Sequence, residues 1–246
     1  MSRKVFVIPD VHVPYHDKKA WGLTLEVIKD IKPDVVVSIG DFADFYAVSS
    51  FDKDPSRRLN LKWEVDCINK ELERLCQVAK NSQVVFLEGN HEDRLRRYLW
   101  KKAPELYGLT NTEELFKIGE RGWKFIKYGD FYKRGRVTYV HDLGKSGVYA
   151  LHGTLDLAGG NVVFGHTHRA GILYRGHHGS QGHFGLNVGW LGDYRKLDYI
   201  HRIKAERDWR LGFGIVEESG NLAFSHFCPI ISGRCRVFGK EYGSGV

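Results

Sequence analysis

The chain has 246 residues, which is long enough for one large α/β domain or two small ones, with a core that needs no disulfides. Hydrophobic residues make up 42% of it and charged residues 27%, a balance that excludes a wholly disordered chain. Lys and Arg number 37 against 30 Asp and Glu, so the formal net charge is +7. The longest apolar runs are far shorter than the roughly 20 residues that span a membrane, so we expect no membrane contact.

The first half of the chain alternates predicted strands and helices. An apolar, β-branched run at 5–8 is followed by helical periodicity over 18–31. A second run at 35–39 is followed by an amphipathic stripe at about 63–80, and a third run lies at 84–87. Near-continuous apolar runs of this length are typical of strands covered on both faces, as in a sheet flanked by helices.

The second half continues the pattern and then changes it. A strand at 137–140, a helix at 146–158 and a strand at 162–164 are predicted. Two later strands, at 212–216 and 222–228, are assigned to a second sheet. The alternation predicts a βαβ-type layered fold, and the lack of a repeat or linker favours a single domain over all 246 residues.

The start of the chain and its thiols indicate a compartment. Met-Ser-Arg-Lys passes at once into the apolar run at 5–8, without the apolar region and cleavage site of a secretory signal. The four cysteines show no Cys-x-x-Cys spacing, which is typical of thiols in a reducing environment. We therefore expect a cytoplasmic protein.

Metal-binding side chains follow all five of the first predicted strands. In layered α/β folds, ligands gather where strands end and loops begin. A lone histidine in such a loop is more often structural than a ligand, but five donor-bearing loops together favour a metal site. The donors are Asp10, His12, Asp41, Asn90, His141, His166 and His168. Oxygen and imidazole donors without sulfur favour two borderline divalent ions over a structural thiolate zinc.

The spacing within the loops supports convergence of these donors. Asp10 and His12 stand at i and i+2, as do His166 and His168, so an extended backbone would direct both members of a pair to one side. Three of the loops also contain a glycine, which would let the backbone turn sharply and approach the ions. These glycines are at 40, 89 and 165.

The order of the motifs resembles that of the calcineurin-like metallophosphoesterase superfamily. Asp-x-His, Gly-Asp-x-x-Asp, Gly-Asn-His-Glu, an isolated His after a strand and Gly-His-x-His follow one another between positions 10 and 168. All five blocks are intact, whereas the part beyond about residue 190 carries no matching motif. The resemblance implies a four-layer-type α/β sandwich of two mixed sheets flanked by helices, with a metal site at the C-terminal ends of the strands.

The resemblance also implies a role for each residue. The first metal ion would be bound by Asp10, His12, Asp41 and His168, and the second by Asp41, Asn90, His141 and His166. A hydroxide between the ions would be the nucleophile, because two cations lower the pKa of the water that they share. His91 would be the general acid that protonates the leaving oxygen, and Asp44 would orient His91. Manganese is the preferred metal, with Fe, Zn, Co or Ni as alternatives.

Two of these assignments have an alternative. Asp44 could instead cap a helix or turn. In the fourth loop, His141 directly follows a strand, whereas His152 lies within the predicted helix at 146–158. We assign the metal to His141 and expect His152 to be a structural or rim residue.

The positive charge is concentrated in one segment. Residues 94–136 contain 12 Lys and Arg against five Asp and Glu, which equals the excess of the whole chain. We interpret the segment as a basic helical insertion beside the metal site. Its start interleaves cations with aromatics, which suits phosphate contact and base stacking. The alternative is a solvated helix face with the aromatics packed inward. The predicted substrate contacts are Arg94, Arg96, Arg97 and Arg169.

Three functions from different classes stay open at this point. The first is metal-dependent hydrolysis of a phosphodiester in nucleic acid or a nucleotide, which the basic segment favours. The second is a phosphomonoesterase acting on a protein or nucleotide. The third is a non-catalytic scaffold, which is disfavoured because no ligand and no general acid is missing. A metallo-β-lactamase-like hydrolase is also disfavoured, because Arg169 and Ala170 stand where that motif requires Asp-His. The oligomeric state is left open.

Overall fold

The computed structural model describes residues 2–57, 60–196 and 208–243. Within these ranges the chain forms five α-helices and thirteen strands. In chain order they are β1 (Arg3–Ile8), α1 (Lys18–Ile31), β2 (Val35–Ser38), α2 (Leu61–Val78), β3 (Gln83–Leu87), α3 (Asp93–Lys102), α4 (Thr112–Leu115), β4 (Lys124–Ile126), β5 (Tyr132–Arg134), β6 (Val137–Val140), α5 (Ala150–Ala158), β7 (Asn161–Phe164), β8 (Ala170–Arg175), β9 (His183–Val188), β10 (Gly212–Ser219), β11 (Leu222–Pro229), β12 (Cys235–Val237) and β13 (Lys240–Tyr242). None of the described helices combines the length and the apolar character needed to cross a membrane.

Two mixed sheets organise the fold. The first has the order β11-β10-β1-β2-β3-β4, with β1 to β4 parallel and β10 and β11 antiparallel. The second has the order β5-β6-β7-β9-β8, with β6, β7 and β9 parallel and an antiparallel strand at each edge. The predicted strands at 212–216 and 222–228 therefore extend the first sheet, not the second. This long-range pairing with β1 leaves no local trace in the sequence.

The two sheets pack face to face between helices. In β1, Val5 and Val7 belong to the core shared with the second sheet, whereas Phe6 and Ile8 belong to the core beneath α1, α2 and α3. On the far side, Leu155 of α5 packs onto β6 and β7. Each fully buried aliphatic or aromatic side chain contributes about 1.5–3 kcal/mol. The predicted four-layer α/β sandwich of two mixed sheets flanked by helices is confirmed.

The helix ends follow local chemistry. Asp17 caps α1, because its carboxylate accepts hydrogen bonds from the backbone N–H groups of Lys19 (2.9 Å) and Ala20 (3.0 Å). Helix α5 is shorter than predicted and begins at Ala150. Gly144 and Gly147, with φ of 71° and 74°, hold the residues before it in turns.

The basic segment at 94–136 is helical only in its first part. Helices α3 and α4 precede two short strands, β4 at the edge of the first sheet and β5 at the edge of the second. The segment therefore connects the sheets and is not a purely helical insertion. Sequence periodicity missed these strands because each has only three residues.

Candidate metal centre

The loops that follow β1, β2, β3, β6 and β7 meet at one edge of the sandwich. Donor atoms of Asp10, His12 and His168 lie within 4.8 Å of one another. The same holds for Asp41, His141 and His166. The predicted ligands therefore form two neighbouring groups, with the seventh, Asn90, beside the second.

In the first group, the nitrogen atoms converge on a buried carboxylate. The Nε2 atoms of His12 and His168 lie 3.0 Å apart, and His168 Nε2 lies 3.3 Å from Oδ2 of Asp10. The Asp10 side chain is fully buried, and apart from this His168 contact neither of its oxygens has a hydrogen-bond partner among the described residues. A buried carboxylate without hydrogen bonds is strongly destabilising unless a cation compensates it. This donor set fits a divalent ion.

The second group is arranged around Asn90 and Asp41. Asn90 Oδ1 lies 3.0 Å from His141 Nε2 and 2.8 Å from His166 Nδ1, and Oδ2 of Asp41 lies 3.4 Å from the same His141 nitrogen. The other ring nitrogen of His141 lies 3.1 Å from the backbone oxygen of Ile39. That contact suits an Nδ1–H donor and leaves Nε2 free to bind an ion. The oxygen and nitrogen donors of this group fit a second divalent ion.

Burial and neighbouring charges move the pKa values of these groups. Burial acts to raise the pKa of Asp41, but the neighbouring His141 and His91 outweigh it and hold the pKa well below its usual range. Burial acts to lower the pKa of His141, but Asp41 outweighs it and raises the pKa to about 10. For His168, burial dominates and lowers the pKa to about 4. The Asp41 carboxylate is thus held in the charged form that metal binding requires, whereas His141 would have to release a proton when an ion binds.

Four of the predicted ligands have a left-handed backbone. The φ angles are 59° at His12, 50° at Asp41, 66° at His166 and 58° at His168. Such a conformation costs a non-glycine residue about 1 kcal/mol or more and is concentrated at functional sites. The expectation of an extended backbone in the Asp-x-His and His-x-His pairs is therefore wrong, since turns and not strands bring the donors together.

Glycine allows close approach at the loops, as the sequence predicts. Gly40 turns the chain with φ 109°. Gly89 lies so close to Asp41 that a Cβ atom would collide with Oδ1 of that residue. Gly165 has the same relation to Oδ1 of Asp10. Any larger residue at 89 or 165 would displace a predicted ligand.

Glu92 joins two of the ligand loops. Its buried carboxylate accepts hydrogen bonds from the backbone N–H groups of Asp41 (2.9 Å), Ala43 (2.7 Å) and Gly89 (2.8 Å). Burial raises the pKa of Glu92 to about 8, and its hydrogen bonds act in the opposite direction. Sequence reasoning quoted this residue within Gly-Asn-His-Glu but gave it no role. The indication that the sequence offered was an acidic residue in a loop that was otherwise assigned to metal binding.

The predicted general acid lies beside Asp44 and Arg94. His91 Nδ1 lies 3.0 Å from the backbone oxygen of Asp44 and 3.5 Å from its Oδ2 atom. The same Oδ2 lies 3.3 Å from His12 Nδ1, so Asp44 bridges the two histidines. Arg94 donates to the backbone oxygen of Asp44 (2.8 Å) and lies 2.9 Å from His91 Nε2. Burial lowers the pKa of His91, with a further contribution from Arg94.

The four arginines predicted as substrate contacts all have protein partners. Arg94 is tied to His91 as described. Arg96 and Arg97 both form ion pairs with Asp93, and Arg97 also donates to the backbone oxygen of Asn90 (3.3 Å). Arg169 lies 3.5 Å from Asp208. Their contact with substrate stays a prediction.

Two tryptophans form an aromatic wall beside the first group of donors. Trp190 stacks on the His168 ring, with centroids 4.9 Å apart and planes 15° apart. Trp209 meets the same ring edge-on at 4.5 Å and contacts Trp190 at 4.8 Å. Stacking restricts the orientation of the imidazole. Sequence analysis missed both residues because they lie beyond the motif blocks, in the part of the chain that matched no pattern.

The chain belongs to the calcineurin-like phosphoesterase family, a class of metal-dependent phosphoesterases, since the family model matches residues 3–202. Among curated proteins, it is similar to the gene 54 proteins of Mycobacterium phages D29 and L5. Each is 29% identical, and each alignment covers 98% of this chain and 99% of the phage protein. Among solved structures, the fold is similar to that of vacuolar protein sorting 29 from Cryptosporidium parvum, with a TM-score of 0.52, 16% identity and 99% of each chain covered.

We expect Glu92→Gln to weaken both the fold and metal binding. An amide has only one acceptor oxygen, so at least one backbone N–H group would face a donor. The free energy of unfolding, measured with urea on the metal-free chain, should fall by about 1–3 kcal/mol. Metal affinity, measured by calorimetry, should fall about 10- to 100-fold. Glu73→Gln, which changes an exposed carboxylate paired with Arg121, is the matched control. Unchanged stability and metal affinity in Glu92→Gln would contradict the role of Glu92 in holding the two ligand loops together.

Metal content separates the two histidine candidates of the fourth loop. His141→Ala should hold one ion fewer than the wild-type chain, because it removes a nitrogen that faces Asn90 and Asp41. His152→Ala should keep the full content, because His152 is exposed on α5 and belongs to neither donor group. Elemental analysis after dialysis measures both, and the reverse result would overturn the assignment.

Proposed function

We propose that the protein is a metal-dependent phosphodiesterase whose substrate is a nucleic acid or a nucleotide. Two divalent ions, manganese by preference, would be held by the seven donors of the metal centre. The first ion would contact Asp10, His12, Asp41 and His168, and the second Asp41, Asn90, His141 and His166. The observation that carries the proposal is the pair of adjoining donor groups, of which the first surrounds the buried and under-partnered carboxylate of Asp10.

The side chains around the ions have separate tasks in this proposal. Bound divalent ions supply a nucleophile at neutral pH and neutralise charge that develops on the phosphoryl oxygens. His91 delivers a proton to the leaving oxygen from its Nε2 atom. Asp44 holds the other ring nitrogen of His91 and so positions the ring. Arg94, which lies 2.9 Å from Nε2, would have to release that atom to the substrate.

The buried charge also argues against a non-catalytic scaffold. Asp10 is completely buried, and apart from the His168 contact its oxygens have no hydrogen-bond partner among the described residues. An unpaired buried carboxylate costs several kcal/mol. A protein of this fold that binds no metal could avoid this cost if apolar residues of similar volume replaced the buried carboxylates. Retention of every donor supports metal-dependent chemistry. The four cysteines form no disulfide within the described residues, which fits the proposed cytoplasmic location.

The test is hydrolysis of small aryl phosphates by the purified, metal-loaded chain. With added Mn²⁺, kcat/KM for bis(p-nitrophenyl) phosphate should exceed that for p-nitrophenyl phosphate. A chelator should abolish turnover, and metal analysis should give about two ions per chain. A preference for the monoester would favour a phosphomonoesterase. No turnover with any divalent metal, at a metal content near zero, would refute the proposal.

The role of His91 has its own signature. His91→Ala should retain the bound metal and lose about 10²- to 10⁴-fold in kcat with alkyl leaving groups, which need the proton. The loss should be much smaller with p-nitrophenolate, which leaves without protonation. The dependence of kcat on leaving-group pKa measures this difference, with His152→Ala as the control. An equal loss for all leaving groups would contradict general acid catalysis by His91.

A further inference from the structure

The exposed side of α3 and the turn that follows it carry aromatic and basic side chains that the metal centre does not use. Trp100 is 55% exposed and Tyr107 is 56% exposed, and their ring centroids lie 6.0 Å apart. The guanidinium of Arg96 lies 5.4 Å from the Trp100 ring. Lys101 and Lys102 complete the group and are also exposed. We name these five residues the α3 platform.

The exposure of the aromatic rings contradicts one sequence-based interpretation. The alternative interpretation of the basic segment was a solvated helix face whose aromatic side chains pack inward. Instead, Leu95 and Leu99 bind α3 to the core, while Tyr98 and Trp100 face outward. Aromatic side chains usually contribute to stability by burial, whereas this contacting pair leaves its rings accessible for stacking on a ligand.

Charge on the platform is available to a ligand. Among the described residues, Lys101 and Lys102 have no ion-pair partner. The one acidic residue of α3, Asp93, is buried and already paired with Arg96 and Arg97. The second half of the helix is therefore positively charged next to two exposed rings.

The platform continues directly from the metal centre. Helix α3 begins three residues after Asn90, and Arg94 in its first turn contacts His91. Trp100 lies six positions beyond Arg94, which corresponds to about 9 Å along the helix axis. Stacked nucleotides advance about 3.4 Å each, so the interval matches roughly three of them.

We propose that the α3 platform binds single-stranded nucleic acid and directs one of its phosphodiesters to the metal centre, an inference that rests on the proposed phosphodiesterase function. Unpaired bases stack on Trp100 and Tyr107, and Lys101 and Lys102 contact the phosphates. A duplex hides its base faces and would not use the rings. A protein partner fits less well, because lysine is depleted in protein–protein interfaces.

The first experiment measures binding of a fluorescein-labelled 12-nucleotide oligothymidylate by anisotropy, in the metal-loaded His91→Ala background, which slows cleavage. Trp100→Ala should weaken binding at least about fivefold, the loss expected from one stacked base. The matched control is Phe224→Ala on β11, an edge strand of the first sheet, where the ring is 50% exposed. This control should bind as tightly as the parent.

The second experiment measures the salt dependence of the same binding. Lys101→Ala combined with Lys102→Ala should make the slope of log K against log salt shallower by about 1.4, which is about 0.7 for each phosphate contact with a single strand. Lys29→Ala combined with Lys80→Ala is the control. Both of these lysines are exposed near the ends of α1 and α2 that lead into β2 and β3, away from the metal centre.

The third experiment uses the wild-type chain and compares substrates. Trp100→Ala should lower kcat/KM for the 12-nucleotide strand relative to bis(p-nitrophenyl) phosphate, and it should not lower the same ratio for a thymidine dinucleotide. The dinucleotide is too short to reach from the metal centre to Trp100.

The outcomes separate this inference from the proposed function. If the wild-type chain hydrolyses the small diester but Trp100→Ala binds the 12-nucleotide strand unchanged, the platform is refuted and the phosphodiesterase stands. If no small diester is hydrolysed, the proposed function fails. If the wild-type chain binds no oligothymidylate at low salt, the inference is overturned in favour of a protein-docking surface.

Discussion

The carboxylate of Glu92 accepts three backbone hydrogen bonds, and through them it sets the distance between the loops that follow β2 and β3. One of these loops carries Asp41 and the other carries Asn90 and His91. A side-chain clamp suits this position because the backbone has left the sheet and no longer has a ladder partner. The geometry of the second donor group and the position of His91 both depend on it.

The sandwich supplies the other half of the site. Val5 and Val7 lock β1 against the second sheet, so Asp10, at the end of β1, faces His168, which follows β7. Neither sheet alone carries a complete donor set. The metal centre is therefore a property of the packing between the sheets, and it lies where their parallel strands end.

Sequence reasoning reached the layered fold and the strands β1, β2, β3, β6 and β7, because each of these is a short apolar run with a potential donor just beyond it. The ligand role of those donors stays a prediction. It could not place β10 beside β1, since their pairing joins residues about 200 positions apart and leaves no local pattern. The positions of Glu92, Trp190 and Trp209 depend on tertiary contacts, which a single sequence does not reveal. Hydrophobic periodicity also could not predict that Trp100 faces outward, because α3 has cations on more than one face.

The left-handed backbone at His12, Asp41, His166 and His168 has a consequence for how related chains are interpreted. Glycine or asparagine would relieve the strain at these positions, and mutation would drift toward them once the side chains had no task. A related chain of this fold that has lost metal binding should therefore have glycine or asparagine at these four turns. This chain has a potential donor at every one, so its backbone strain falls on four positions that the proposed metal centre needs.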